Sequence, residues 1–168
     1  MAPNFFNQTS MIYFSQLPQL LHADLIQLAH DVAIDHLITD SRKVVLAQGS
    51  VFFAIKGERH DGHQFLNALY QQGIRNFVVE QQPAELPKDA NYVRVTSAIE
   101  ALQLIAAYHR AAFSIPIIGI TGSNGKTIVK EWLYQLLSSE FSIAKNPGSY
   151  NSQLGVPLSV WNLQQHHT

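Results

Sequence analysis

Between positions 121 and 127 the chain reads Thr-Gly-Ser-Asn-Gly-Lys-Thr, a spacing suited to holding phosphate. Gly122 and Gly125 let backbone N–H groups close around phosphate oxygens, and a helix beginning there adds the partial positive charge of its N-terminus. Lys126 is placed to reach the β- and γ-phosphates of ATP, and the Thr127 hydroxyl to bind Mg²⁺. Ser123 and Asn124 complete the loop. Residues Gly122, Ser123, Asn124, Gly125, Lys126 and Thr127 are therefore the candidate nucleotide-phosphate site. Lys126 and Thr127 are its candidate catalytic residues, and Thr127 its candidate metal ligand. The strict pattern G-x-x-x-x-G-K-[ST] is not met, because Ile120 stands five positions before Gly125. The bland alternative is a glycine turn between a strand and a helix, with a solvated lysine.

The flanking elements favour the phosphate loop. Residues 115–120 are an Ile-rich run bounded by Pro and Gly, which predicts a buried parallel strand. Behind the loop, Val129, Trp132, Leu133, Leu136 and Leu137 recur at helical spacing. Residues 141–144 predict a second strand, 145–151 a loop, and 152–163 the start of another element. Upstream, Leu25, Leu28, Ala29 and Val32 predict a helix over about 24–33 with Asp24 as its N-cap. An extended segment over 34–38 leads to a polar turn at 39–43. A strand is predicted at 49–56, a short helix at 65–72 closed by Gly73, and strands at 76–80 and 91–95. Ser97 and Glu100 form a capping box for a helix reaching about 112, with Ile99, Leu102, Ile105, Ala106 and His109 on one face.

Alternating strands and helices predict an α/β architecture with largely parallel sheets. The best boundary lies near Phe113. It leaves a tail over 1–10, a small α/β domain over 11–112, and the truncated beginning of a doubly wound P-loop domain over 113–168. Of 168 residues, 46% are hydrophobic and 14% charged, which suits a folded core. A net charge of −1 offers no footprint for nucleic acid or anionic membrane. Without cysteine there are no disulfides or thiolate metal sites, in keeping with a cytoplasmic location. No run approaches the roughly 20 apolar residues that span a bilayer.

Three separated stretches resemble the Mur ligases, the ATP-dependent amide-forming enzymes of peptidoglycan precursor synthesis. The first is Asp-Ser-Arg-Lys at 40–43 with Gly-Ser-Val-Phe-Phe-Ala-Ile-Lys-Gly at 49–57 and Asp-Gly-His at 61–63. It is similar to the domain that holds the UDP part of the substrate. The second is the phosphate loop, and the third is Asn-Pro-Gly-Ser-Tyr-Asn-Ser-Gln-Leu-Gly-Val-Pro at 146–157. The wording is most similar to members that add D-alanyl-D-alanine to UDP-N-acetylmuramoyl-tripeptide, and Lys-Thr-Ile-Val-Lys-Glu-Trp at 126–132 resembles a form fused to alanine racemase. The resemblance implies ATP and Mg²⁺, an acyl-phosphate route, and further ligase chain carrying the remaining catalytic groups.

The same resemblance implies UDP-substrate contacts from Ser41, Arg42, Glu58, Arg59, His60 and Asn151. Read without it, Ser41 and Arg42 suit an Asx-type turn with a solvated Arg. Glu58, Arg59 and His60 suit a solvated loop, and Asn151 suits a cap. His63 reads as a packed histidine at a helix start and His109 as structural. His166 and His167 are too few for a metal. A sister Mur or folylpolyglutamate-type ligase shares the ATP loop, and a non-catalytic nucleotide-binding module is the other alternative.

Overall fold

The computed structural model describes residues 11–43, 46–58, 60–148 and 150–168. The expected tail at 1–10 and Arg59 lie outside them. The chain forms two compact units, one running to Ile105 and one from Ala106.

The first unit is built on five strands: β1 (Asp24–Gln27), β2 (His36–Ile38), β3 (Ser50–Phe53), β4 (Asn76–Val79) and β5 (Asn91–Arg94). Their order is β1-β5-β4-β3-β2. β2, β3, β4 and β5 are parallel neighbours, and β1 joins antiparallel to β5. The central strands read as continuous apolar runs because both sheet faces are covered. Phe52, Phe77, Val79 and Tyr92 pack on one side with Leu66 and Leu69 of α2 (Leu66–Gln71). Val51, Phe53, Val78 and Val93 alternate to the other side and are equally buried. Phe77 and Tyr92 are register partners whose rings stack at 5.0 Å. A short helix, α1 (Leu17–Leu20), precedes β1, and Phe14, Leu17 and Leu21 enter the core beside it.

The helix expected over 24–33 is absent, and β1 occupies its first half. Its apolar spacing fits a helix, yet Leu25 and Leu28 are exposed, so no buried helical face exists to reward one. Ladder hydrogen bonds to β5 decide the conformation, and Asp24 pairs with Arg94 at 2.7 Å instead of capping. α3 (Ala98–Ala111) begins as expected: the Glu100 N–H donates to Ser97 Oγ, and Glu80 accepts from the Ala98 N–H at 2.8 Å.

The second unit holds the last turns of α3, then α4 (Lys126–Leu137) and α5 (Gly155–Trp161). The strands expected at 115–120 and 141–144 are not formed. A parallel strand needs neighbours, and no described residue of this unit forms a strand that could pair with them. Ile117 and Ile118 are exposed, as are Trp132 and Leu136 on α4. His109 is buried between Phe113 and Trp161, and its Nε2 bonds the Leu163 carbonyl at 3.1 Å. Burial holds its pKa below the ordinary value.

Candidate functional site

In the second unit the sequence places Gly125 where Ser, Thr or Asp would normally cap a helix. Gly125 is left-handed (φ +78°), a conformation that Cβ-bearing residues resist. Space is not the constraint, since a Cβ there would meet nothing within 4 Å. No side chain caps α4 and no acidic residue sits in its first turn. The positive end of the helix is thus left without a charged side chain of its own to offset it. Gly122, Ser123, Asn124, Gly125 and Thr127 are exposed. The half-buried Lys126 folds back so that Nζ donates to the Gly122 carbonyl. The segment thus carries two glycines, one ammonium and a threonine at the start of one helix, the residue types from which phosphate sites are built.

Asn151 is exposed on a loop fastened to the same helix. Lys130 Nζ donates to the carbonyls of Asn146 (3.0 Å) and Gly148 (2.7 Å), and Lys145 pairs with Glu131 at 2.6 Å. Lys145 also lies 4.0 Å over the Tyr134 ring. The hydrogen bond from Lys145, then that from Lys130, hold the Glu131 carboxyl below the usual carboxylate range. The structure therefore brings the phosphate loop and the Asn151 loop onto one scaffold.

In the first unit, Ser41 and Arg42 follow β2, and Glu58 and His60 follow β3. These strands are parallel neighbours, so both loops leave the same carboxyl edge of the sheet, where α/β folds bind ligands. Arg42 is exposed but not loose. Its Nε and Nη2 donate to Asp40 Oδ1 (2.9 Å) and Oδ2 (2.8 Å), and this bidentate contact raises its pKa. Glu58 and His60 sit in a tight reversal, closed by the Gly57 N–H donating to the His60 carbonyl at 2.8 Å and by the bridge between Lys56 and Asp61.

The Asp-Gly-His stretch is a brace for that edge. Asp61 Oδ1 accepts from the His63 backbone N–H (2.9 Å) and bonds its Nδ1 (2.6 Å). These two bonds keep the Asp61 carboxyl below its usual range. His63 Nε2 accepts from the N–H groups of Glu80 (3.0 Å) and Gln81 (3.3 Å), tying the loop after β3 to the loop after β4. These backbone donors make Nδ1 the protonated nitrogen. Gly62 passes so close to β3 that a Cβ would lie 2.8 Å from the Ile55 nitrogen. Gly62→Ala is expected to destabilise the chain by about 1–3 kcal/mol through overpacking, read as a lower urea midpoint. An unchanged midpoint would show that the loop can yield.

Asp40 and Lys130 carry only faint sequence signals, Asp40 its place before Ser-Arg and Lys130 its position one turn beyond Lys126.

One unit is an α/β sheet and the other bears a Lys-Thr pair at a glycine-led helix start, which together define an α/β protein carrying a loop of phosphate-binding composition. A family model described as "Mur ligase family, catalytic domain" matches residues 33–110, and one described as "Mur ligase middle domain" matches 120–168. The chain belongs to the Mur ligase family. It is 36% identical over 140 residues to the UDP-N-acetylmuramoyl-tripeptide–D-alanyl-D-alanine ligase of Synechocystis sp., covering 83% of this chain and 30% of that one. Among solved structures it is similar to MurF from Acinetobacter baumannii (TM-score 0.83, 29% identity, covering 95% of this chain and 35% of that one). It is also similar to MurF ligase from Thermotoga maritima in complex with ADP (TM-score 0.68, 33% identity, covering 79% and 30%). The chain spans about a third of the length of these relatives.

Proposed function

We propose that this chain is the front part of an ATP-dependent ligase that joins D-alanyl-D-alanine to UDP-N-acetylmuramoyl-tripeptide in the cytoplasm. The observation that carries the reading is the uncapped start of α4, with Lys126 folded over Gly122, in a chain whose relatives bear that activity in their names. Residues 11–112 would hold the UDP end of the substrate and residues 113–168 would begin the ATP-binding domain. The family model over 33–110 is described as catalytic, and holding one substrate for attack on the other is part of that task. The exposed apolar side chains of Ile117, Ile118, Trp132 and Leu136 accord with further ligase chain packing there. Among the described residues no helix is long and apolar enough to cross a membrane.

The chemistry proposed is two-step. The tripeptide's terminal carboxylate attacks the γ-phosphorus of ATP, ADP leaves, and an acyl phosphate forms. The amine of D-alanyl-D-alanine then attacks that carbonyl, phosphate leaves with the C–O bond, and the nitrogen loses its proton. Phosphoryl transfer asks the protein mainly for positioning and charge neutralisation. Lys126 and the first N–H groups of α4 supply both from this chain. Magnesium accompanying a nucleotide needs only one or two protein oxygens, and the Thr127 hydroxyl would offer one. Among the described residues no group of three His, Cys, Asp or Glu could hold a metal ion. When bound, magnesium would neutralise phosphate charge.

The test of this division of labour is the double variant Ser41→Ala with Arg59→Ala in the full-length ligase. Each lost hydrogen bond to a charged group costs about 1.5–3 kcal/mol. Affinity for the UDP-muramoyl peptide should fall roughly tenfold or more, while ATP affinity stays nearly constant. Loss of ATP affinity with UDP-substrate affinity kept would reverse the domain assignment.

A further inference from the structure

We infer that Lys130 is a positioning residue that sets the Asn151 loop against the phosphate loop, an inference resting on the proposed ligase function. Lys126 and Lys130 are one turn apart on α4 and so share a face of the helix, yet their surroundings differ. The Lys126 ammonium meets one carbonyl and is half-buried. The Lys130 side chain is 12% exposed, and its ammonium donates to the Asn146 and Gly148 carbonyls and forms an ion pair with Glu131 Oε1 at 3.3 Å. With two of its three hydrogens on backbone carbonyls and its charge paired with a carboxylate, this ammonium is committed to the loop rather than to a phosphate.

A nearly buried charge is tolerated only when it is so satisfied, and it then fixes its partners tightly. Those partners are backbone carbonyls, so Lys130 holds the path of the loop whatever side chains the loop carries. Asn146 Nδ2 passes the constraint on to the Tyr150 carbonyl at 3.1 Å. Asn151 follows directly, exposed beside it. One helix therefore carries the phosphate lysine on its first turn and the anchor of a second site loop on its next. A substrate group touched by Asn151 would be held in register with a phosphate held by Lys126.

The test uses the full-length ligase with Lys130→Met, which keeps the stem and removes the donors, alone and combined with Asn151→Ala. We expect Lys130→Met to lower kcat ten- to hundredfold with ADP affinity changed less than twofold, and Lys130→Arg to recover most of the loss. Because both residues act through one loop, the double variant should be little slower than Asn151→Ala alone. Unchanged kcat, or losses that multiply in the double variant, overturns the proposal. If Lys130→Met does not fold, Lys130→Gln, which keeps a polar tip but removes the charge, carries the same cycle with Asn151→Ala, and multiplying losses there overturn it equally. A wild-type ligase with no ADP binding and no turnover overturns the proposed function instead, which is a distinct result.

Discussion

Replacing Lys126 with alanine is expected to lower the ligase rate about 10²- to 10³-fold, the usual cost of one lost donor at a developing charge. The melting midpoint should barely move. The lysine's one hydrogen bond is to the Gly122 carbonyl of an exposed loop, and among the described residues it forms no ion pair. Nothing in the fold depends on its charge. Lys126→Arg should not restore the rate. A planar guanidinium cannot fold over a four-residue loop as a compact ammonium does. Isothermal titration with ATP and a phosphate-release assay would measure both effects. Equal ATP affinity and equal rate in the alanine variant would remove the phosphate-site assignment.

That loop was legible because its chemistry is local. Glycines at 122 and 125 and the Lys-Thr pair specify a turn and a helix start through a few residues' own φ, ψ and hydrogen-bonding needs. The starts of α2 and α3 and the apolar strands β3, β4 and β5 were legible for a like reason, since burial on both faces leaves unbroken apolar runs. Sequence reading stopped where pairing decides. Residues 24–33 carry helical spacing, but hydrogen bonds to β5, some 65 residues away, take the first half as a strand. Residues 115–120 have a strand's composition and no strand partner among the described residues. At the carboxyl edge of the sheet, Ser41 and Arg42 lie in a 3-10 turn after β2, and Glu58 and His60 in the segment after β3. That Asp40 grips Arg42 with both carboxylate oxygens is a contact between residues two apart in a tight turn, which no periodicity announces. Whether these residues touch a UDP group is for the double-variant titration to decide.

The largest expected effect on stability lies at the opposite edge of the same sheet. Asn91, Asn76 and Ser50 stand at or near the amino ends of β5, β4 and β3, and each is at most 3% exposed. They form a ladder. Asn91 Oδ1 accepts from the N–H groups of Ala29 (2.7 Å) and His30 (3.1 Å). Asn91 Nδ2 donates to the His30 carbonyl and to Asn76 Oδ1, both at 2.7 Å. Asn76 Nδ2 donates to the Ser50 carbonyl at 2.9 Å. Asn91→Leu keeps the volume but strands two donors and two acceptors. A buried group left unpaired costs about 1–3 kcal/mol, and some of the four will find water, so the loss should be about 3–5 kcal/mol. The exposed pair Arg94–Asp24 on the same strand is the internal contrast, and Arg94→Ala should cost under about 1 kcal/mol. Urea unfolding followed by far-ultraviolet circular dichroism would compare them. Because the ladder lies at the amino ends of the strands and the Ser41 and His60 loops at the carboxyl ends, the folded fraction of Asn91→Leu should bind the UDP substrate with unchanged affinity. A midpoint shift no larger than that of Arg94→Ala would show that the ladder is dispensable, and weakened binding by the folded fraction would show that it also shapes the far edge.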